Sequence, residues 1–413
     1  MLALLGMAAI ALVIYSSTVL DGRIYFLGAA LLAAAATARC MWRRRLRAPR
    51  LFYGSEMSSI LEAMPLMNTQ LSQPVGISSG LMQVVIFAVQ YQLQPFCCPY
   101  EFEREEVDVD LDGRFHDKVA LQWLKRPDEA SLPADAPIIV MCPGLCNYEK
   151  DLPGTNLYRQ LLKRPWRAAV YLKRGLAGPI HAPVLHVFGH PSDLKAAVKQ
   201  ISARYPSAPI HMVCFSSGNG LGGSMGTMYD AELTSVRSYL LLCGGCDYQR
   251  IMPDKPMWPW TELLFTSILK PSVQEKLIAP HKAVLCEHDA AGYAKVMAAK
   301  TFQEMYDMLV THFGGYKDGA ESEAKVNGFL GGNARLCDTL RTPFLSVYTE
   351  DDPVSPGGPR PDWLVRYTNS SHAACALFPN GSHLACYESF DLSVRWVDRL
   401  VLQWIDAVIA THG

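Results

Sequence analysis

The sequence has no excess of charge of either sign, no regular cysteine framework, and no internal repeat or low-complexity tract. Its 413 residues carry a formal net charge of -1 at pH 7, so the overall charge does not favour nucleic acid as a partner. The 12 cysteines are scattered, several of them inside apolar runs, which is typical of buried thiols in a reducing compartment. Cys243 and Cys246 have C-x-x-C spacing, but without a second pair or a histidine cluster nearby they do not predict a zinc or redox site.

Charged residues are scarce altogether. They make up 19% of the chain, against 50% apolar residues. This composition excludes a disordered chain and provides enough apolar surface for a large core. The length exceeds that of a typical domain, but it suits an α/β fold with an inserted cap.

Basic residues are missing from the start of the chain. Residues 2–20 form a run of 19 positions without a charge, and a second uncharged run covers 24–38. The first run is close to the length that spans a bilayer. A cleaved signal peptide usually begins with basic residues, whereas here the arginines follow the apolar runs, at 43, 44, 45, 47 and 50.

This pattern predicts a membrane anchor rather than a signal peptide. We expect residues 1–42 to form one transmembrane helix or a two-helix hairpin, and residues 43–100 to form a basic juxtamembrane and connecting region. Because positively charged flanks stay on the cytosolic side, the folded domain is expected to be cytosolic. The sequence does not indicate an organelle.

From residue 101 onward, short apolar runs alternate with helical patterns. Residues 106–124 have period-two apolar positions around an Asp-Gly turn, which is typical of a hairpin. Further runs are short and bounded by turn residues, as buried parallel strands are; they cover 137–142, 168–172, 209–215, 238–243, 343–348 and 373–378. We therefore expect an α/β domain over 101–413 with a mostly parallel, doubly wound sheet. Residues 248–335 lack clear strands and are expected to form a helical cap insertion.

One segment, HMVCFSSGNGL, has the sequence of a strand, a tight turn and the start of a helix. A sharp turn that projects a nucleophilic serine reads G-x-S-x-G, because small neighbours avoid clashes. Here Ser216 stands at the centre of the pattern, with Gly218 after it and Cys214 in place of the first glycine. Ser217 is a rival, but it lies one step beyond the end of the strand. The pattern favours Ser216 as the nucleophile.

Two later segments carry side chains that could activate this serine. In TPFLSVYTEDDPVSP a strand ends in two carboxylates, and the spacing to the following Val and Pro favours Asp352 over Asp351. In LFPNGSHLACYE, His383 follows a turn after the last strand, whereas His372 precedes that strand and would lie at the wrong edge of the sheet. A carboxylate-oriented histidine is the general base of such sites. The chain order Ser, Asp, His is that of α/β-hydrolases.

A further segment, MCPGLCNY, runs from a strand into a Pro-Gly-Leu loop. Backbone amides in such a loop and at the start of the helix after the nucleophile can stabilise a tetrahedral oxyanion. We expect these donors to be the amides of Leu145 and Ser217.

These segments resemble the YheT-like, ABHD-type branch of the α/β-hydrolase superfamily, over about residues 60–410. The resemblance extends to LDGRFHDKVALQWL, which is similar to the family's opening hairpin, and to YLKRGLAG, DDPVSP, GSHLACYES and WVDRLVLQWI. It implies a fold of that superfamily and the triad Ser216, Asp352 and His383. Several positions depart from the family pattern: Pro143 for a histidine, Leu172 and Lys173 before the arginine of an Asn-x-Arg-Gly loop, Cys214 for a glycine, and Gly218-Asn219-Gly220 for Gly-Gly-Asn.

The sequence therefore predicts a serine hydrolase that cleaves carboxylic esters of lipid-like substrates through an acyl-enzyme. The resemblance implies acylglycerols, phospholipids or medium-chain esters as substrates, and it implies no metal or organic cofactor. The expected partners are a lipid or ester substrate and a membrane, and the sequence does not indicate protein partners. Two alternatives stay open: acyl transfer to an alcohol, and a catalytically inactive membrane scaffold, which the altered turn around Ser216 motivates.

Overall fold

The computed structural model describes residues 47–71, 77, 79–151, 154–244, 264–316, 333–355, 358–388 and 394–412. The strands are β1 Arg50–Tyr53, β2 Phe102–Leu111, β3 Phe115–Leu124, β4 Ile138–Cys142, β5 Arg167–Leu172, β6 Ile210–Phe215, β7 Val236–Leu242, β8 Phe344–Thr349 and β9 Ala373–Phe378. The α-helices are α1 Ser58–Glu62, α2 Gly80–Cys97, α3 Gly154–Leu161, α4 Pro191–Arg204, α5 Ser217–Tyr229, α6 Lys270–Val273, α7 Lys282–Ala298, α8 Phe302–Phe313, α9 Leu336–Thr339, α10 Pro361–Asn369 and α11 Trp396–His412. Short 3-10 segments lie at Ser55–Met57, Pro65–Asn68, Glu129–Ser131, Asp230–Glu232, Ala279–His281 and Asn333–Arg335, and π-helical turns at Phe265–Leu269 and Gln274–Ile278.

The strands form one sheet in the order β1-β9-β8-β7-β6-β4-β5-β3-β2. From β5 through β4, β6, β7 and β8 to β9 the neighbours pair in parallel. The pairs β2–β3, β3–β5 and β1–β9 are antiparallel. Because the parallel strands point the same way, their carboxyl ends meet at one edge of the sheet, which is where α/β folds place ligands. This strand order is that of the α/β-hydrolase fold, and the predicted fold class is confirmed to that extent.

The parallel strands agree with the apolar runs of the sequence. In β4, β5, β6, β8 and β9 every residue is buried. Strands covered on both faces read as continuous apolar runs rather than alternating ones. For this reason the sequence alone located them to within a few residues.

One strand was not predicted. β1 lies inside the segment expected to connect the anchor to the domain, and it pairs with β9 from Arg50 opposite Leu377 to Tyr53 opposite Ala374. The following helix α1 buries Ile60 in the same core. Part of the predicted connecting region is therefore packed into the folded domain.

Helices cover both faces of the sheet. Apolar residues of α1, α3 and α11 pack on one face, for example Leu157 and Trp404. Residues of α4 and α5, for example Leu194 and Leu221, pack on the other. This burial of two sheet faces supplies the main apolar stabilisation of the domain.

The described part of the predicted cap, residues 264–316 and 333–335, is mainly helical. Its side chains form a third apolar cluster with the loop after β5, in which Leu277, Leu309 and Phe313 contact the neighbourhood of Leu185 and Val187. These helices thus share a small core of their own with the loop after β5.

The predicted anchor over 1–42 lies outside the described residues. Within the part of the chain that the structure describes, no helix has both the length and the apolar character required to cross a bilayer.

Candidate active site

Strand β6 runs directly into helix α5, and Ser216 is the one residue between them. Its backbone has φ 50° and ψ -118°, a conformation that residues other than glycine rarely adopt. The amide of Ser216 donates to the carbonyl oxygen of Leu242 on β7 at 2.9 Å, which fixes the turn against the next strand. A Cβ at Gly218 would overlap the carbonyl oxygens of Cys142 and Pro143, so this position requires glycine.

The structure brings the three predicted side chains together. His383 Nε2 lies 2.7 Å from Ser216 Oγ, and His383 Nδ1 lies 2.8 Å from Asp352 Oδ2. The second carboxylate oxygen of Asp352 accepts hydrogen bonds from the amides of Val354 at 2.7 Å and Ser355 at 3.0 Å. His383 is 9% exposed and Asp352 is 4% exposed, so this chain of hydrogen bonds is largely shielded from bulk water.

Opposing effects set the pKa of His383. Burial lowers the pKa, whereas the negative charge of Asp352, the hydrogen bond that Asp352 accepts from the imidazole and the electrostatic effect of Cys243 raise it, and the net pKa lies above the usual value for histidine. The imidazole is therefore held between a carboxylate and a hydroxyl with enough basicity to accept a proton.

The rival residues occupy other positions. Asp351 Oδ1 accepts a hydrogen bond from the amide of Ser382 at 2.9 Å, so it braces the loop that carries the histidine. His372 Nδ1 lies 2.9 Å from Glu56 Oε2, before β9 and away from the carboxyl edge. The hydroxyl of Ser217 is buried and has no hydrogen-bond partner among the described residues.

The loop after β4 closes over the serine. A Cβ added to Gly144 would lie 3.3 Å from Ser216 Cβ and 3.1 Å from Asn147 Oδ1. The amides of Leu145, in this loop, and of Ser217, at the start of α5, donate no hydrogen bond to any described residue. Unpartnered backbone amides of this kind are able to bind an oxyanion.

Cys214, which replaces the first glycine of the turn motif, is accommodated by a glycine on the neighbouring helix. A Cβ at Gly222 would overlap Cys214 Sγ, so the absence of that Cβ provides room for the thiol. The thiol pairs with Cys142 on β4, and this hydrogen bond, together with burial, raises the pKa of Cys214 well above its ordinary value. The thiol of Cys214 therefore packs between β6 and α5 in the space that Gly222 leaves.

A small cavity lies behind the loop after β4. It contains about 250 Å³ of empty space, part of it open to solvent, and its lining includes Gly144, Asn147 and Lys173. Lys173 is 6% exposed, and its ammonium group donates to the carbonyl oxygen of Val187. Burial lowers the pKa of Lys173 to about 8, although the Cys146 thiol acts in the opposite direction. Within the described residues no carboxylate forms an ion pair with this lysine.

The next residue fixes the same loop. Arg174 Nε and Nη2 lie 3.1 and 3.0 Å from the two carboxylate oxygens of Asp193, and Nη1 lies 3.4 Å from Asp117 Oδ2. These three side chains are at most 1% exposed. A bidentate, fully buried pairing of this kind holds a loop in one geometry.

Neither Lys173 nor Gly222 was recognised in the sequence as part of the site, since their roles depend on what packs against them.

Of the C-x-x-C pair noted in the sequence, only Cys243 is described, because Cys246 lies outside the described residues. Cys243 lies beside Cys386, whose pKa is raised by burial and then by a hydrogen bond with Cys243. Within the described ranges no cluster of three or more His, Cys, Asp or Glu residues is placed to hold a metal ion.

Comparison with known proteins gives distant matches. No model of a known protein family matches the chain. The chain is similar to the embryogenesis-associated protein EMB8 of Picea glauca, with 21% identity over 73% of this chain and 64% of that protein. It is similar to the protein ABHD15 of Homo sapiens, with 27% identity over 62% of this chain and 52% of that protein. It is also similar to a monoacylglycerol lipase of Saccharomyces cerevisiae, with 21% identity over 56% of this chain and 51% of that protein. The chain thus spans between half and two thirds of the length of these relatives.

Proposed function

We propose that this chain is a serine hydrolase that cleaves carboxylic esters of lipid-like substrates through an acyl-enzyme on Ser216. The observation that carries the proposal is the continuous hydrogen-bonded series from Asp352 through His383 to Ser216, with distances of 2.8 and 2.7 Å. A buried carboxylate, an imidazole and a hydroxyl in this order form the arrangement that makes a serine nucleophilic at neutral pH.

The reaction would proceed in two stages. His383 Nε2 takes the proton of Ser216 Oγ as this oxygen bonds to the ester carbonyl carbon. The bond from carbon to the leaving alcohol then breaks, and the imidazolium returns the proton to that alcohol. The same nitrogen then takes a proton from a water molecule as the water oxygen bonds to the acyl carbon. The bond from that carbon to Ser216 Oγ breaks, the imidazolium returns the proton to Oγ, and the acid is released. Asp352 keeps the imidazole in the required tautomer and stabilises its positive charge.

The oxyanion of the tetrahedral intermediate would be bound by the amides of Leu145 and Ser217. Their lack of a hydrogen-bond acceptor among the described residues supports this role. Gly144 lets the loop pass close to the serine, since a Cβ at this position would lie 3.3 Å from Ser216 Cβ. Removal of one such donor from a hydrolase typically lowers kcat by about 10²–10³.

The substrate class rests on the apolar surroundings and on the relatives. The described cap carries an apolar cluster beside the loop after β5, and one relative is named a monoacylglycerol lipase. We propose that the chain belongs to the YheT-like, ABHD-type branch and that acylglycerols, phospholipids or medium-chain esters are its substrates. Residues 1–42 would anchor the domain in a membrane, with the domain in the cytosol and residues 248–335 as its cap.

Labelling with a fluorophosphonate tests the nucleophile. The wild type and Ser217→Ala are expected to be labelled, because the attacking hydroxyl is retained in both, whereas Ser216→Ala is expected to stay unlabelled. Ser217→Ala is the matched control, since it removes a neighbouring buried hydroxyl. Equal labelling of Ser216→Ala and wild type would refute the proposal, and absence of labelling in all three would favour the inactive scaffold.

The acceptor of the acyl group is tested separately. Hydrolysis predicts free acid as the main product of an acylglycerol in water, and added ethanol should divert only a small share to ethyl ester. A product dominated by ethyl ester at low ethanol concentration would identify acyl transfer as the principal activity.

A further inference from the structure

Helix α2 exposes apolar side chains and buries a polar one, which is the opposite of the arrangement on a helix that faces water. None of its 18 residues is charged. Met82, Val85 and Val89 follow one another along one face and are 38%, 42% and 58% exposed. Gln83 is 0% exposed, and neither atom of its amide group has a hydrogen-bond partner within the described part of the chain. We call Met82, Val85 and Val89 the apolar face of α2.

This arrangement is costly in water. A buried amide without a partner is unfavourable, and contiguous exposed apolar side chains usually mark an interaction surface. A helix free to rotate in water would place its glutamine outward and its valines inward. The observed orientation is favourable when the medium outside the helix is itself apolar.

The helix is fixed directly against the catalytic loops. The hydroxyl of Ser382, the residue before His383, donates to the carbonyl oxygen of Gly80 at the start of α2. A Cβ at Gly80 would overlap the backbone of Asp351, the residue before Asp352. The start of α2, from which the apolar face extends, therefore lies beside the edge of the sheet at which Ser216, Asp352 and His383 meet.

The described part of the chain begins at the same place. Arg47 and Arg50 contact the carboxylate of Glu350 at 2.5 and 3.1 Å, and Glu350 directly precedes Asp351. The 46 residues before Arg47 include the uncharged runs 2–20 and 24–38. The most apolar part of the sequence thus leads into the domain next to the start of α2.

We propose that the apolar face of α2 rests in the surface of a lipid bilayer and orients the catalytic edge toward the membrane. An interfacial helix buries its apolar face at the boundary between head groups and acyl chains. The exposed side chains of Met82, Val85 and Val89 suit this position. In this orientation an ester dissolved in the bilayer reaches Ser216 without crossing bulk water. The proposal rests on the proposed function only for the consequence that the substrate comes from the membrane.

The first test compares two substrates of the full-length protein. Val85→Glu combined with Val89→Glu is expected to lower the turnover of a long-chain ester in phosphatidylcholine vesicles by about tenfold, because two carboxylates oppose insertion of the face. Turnover of a water-soluble short-chain ester should stay unchanged. Met228→Glu is the matched control: Met228 is 53% exposed at the far end of α5, and its substitution should change neither rate. Equal vesicle turnover in the double variant and the wild type would overturn the proposal.

The second test does not depend on catalysis. An environment-sensitive fluorophore attached to Val89→Cys should shift its emission to shorter wavelength when phosphatidylcholine vesicles are added, whereas the same label on Met228→Cys should not; labelling of the unsubstituted protein gives the background from its own cysteines. An unchanged, water-like emission at position 89 would mean that other segments alone hold the membrane. Emission that is already apolar before vesicles are added would mean that another part of the chain or a second copy covers the face. Either result refutes the proposal while leaving the role of Ser216 intact.

Discussion

The interior of the central sheet and its carboxyl edge are formed by the same strands, yet their chemistry differs. Inside the sheet, β4, β6 and β8 are buried at every residue and carry mostly apolar side chains, with His211, Ser346 and Thr349 as polar exceptions. At the edge where these strands end, charged and polar side chains are buried. Several non-glycine residues there have positive φ, among them Cys146, Ser216, Cys243, Ser382 and Leu384.

The interior of the sheet provides stability, and its carboxyl edge holds the groups proposed to react. Strained backbone and buried charges lower stability, and they persist only where the surroundings hold them in place. The apolar interior provides that support, because close packing on both faces fixes the direction in which each strand ends. The edge can then hold a serine at φ 50° and a nearly buried lysine. Substitutions at the edge should therefore lower activity or raise stability, whereas substitutions in the interior should mainly lower stability.

The largest effect is expected at Asp352. Asp352→Asn should lower kcat/KM by about 10³–10⁴, because the imidazole loses the partner that fixes its tautomer. The sign of the pH effect follows from the pKa of His383, which burial lowers but Asp352 raises to a net value above the usual one. Without the carboxylate that pKa falls, so the acid limb of the remaining activity should move to lower pH. A pH profile of kcat/KM measures both effects.

Asp351→Asn is the matched control for this prediction. Asparagine can still accept the hydrogen bond from the amide of Ser382, which Asp351 accepts at 2.9 Å. We expect a much smaller loss of rate and little movement of the acid limb. If both variants lost activity equally with the same pH profile, Asp352 would have no special role and the distinction between the two carboxylates would fail.

The next prediction concerns stability, which a substitution at the edge is expected to increase. Lys173→Met should raise the free energy of unfolding at pH 7 by about 2 kcal/mol: a pKa lowered to about 8, against about 10.4 in the unfolded chain, corresponds to roughly 3 kcal/mol of penalty, less about 1 kcal/mol for the lost hydrogen bond to Val187. Between these two pKa values the unfolded state binds more protons, so the wild type gains stability as pH rises through this range. Urea unfolding at pH 7 and at pH 9.5 should therefore show the advantage of the variant shrinking.

Lys199→Met serves as the control, since Lys199 is half exposed and pairs with Glu232 at the surface. Its substitution should change the free energy of unfolding by less than about 1 kcal/mol. A Lys173→Met variant that is less stable than the wild type at both pH values would show that the lysine supports the edge rather than straining it.

The same contrast explains how much could be predicted from the sequence. Interior strands were located because burial on both faces produces continuous apolar runs, as in Ile138–Cys142. Strand β1 was missed because it has four residues, RLFY, of which none is fully buried, and its partner β9 lies more than 300 residues away. Pairing at that distance leaves no local pattern.

At the edge, the sequence provided the candidates but not their contacts. Ser216, Asp352 and His383 could be proposed because each follows a buried strand in the expected order. The distinction from Asp351 could be drawn only weakly, since both carboxylates follow the same strand. The outward direction of Val85 and the burial of Gln83 could not be predicted, because an uncharged helix shows which residues are apolar but not which face is covered.

The smallest effect lies where interior and edge meet, at Gly222. Two terms oppose each other in Gly222→Ala. Replacing glycine by alanine inside a helix stabilises the fold by about 1 kcal/mol. The new Cβ, however, would overlap Cys214 Sγ, and overpacking of this kind destabilises the fold by about 1–3 kcal/mol. We expect a net destabilisation of about 1 kcal/mol, measured by urea unfolding. Gly220→Ala is the control on the same helix: no atom lies within 4 Å of a Cβ placed there, so only the helix term acts and the variant should be slightly more stable.

A double variant tests whether the sulfur of Cys214 causes this destabilisation. In a Cys214→Ala background the sulfur is gone, and the nearest remaining atom, the Cβ at position 214, lies 3.5 Å from the new methyl group, which is an ordinary contact. Gly222→Ala should then change sign and become stabilising, and the two substitutions should be coupled by 1 kcal/mol or more, on the order expected for residues in contact. Additive effects would mean that the thiol does not depend on Gly222. In that case a movement of β6 would make room for Cys214. The interior of the sheet would then be too mobile to fix the direction in which each strand ends.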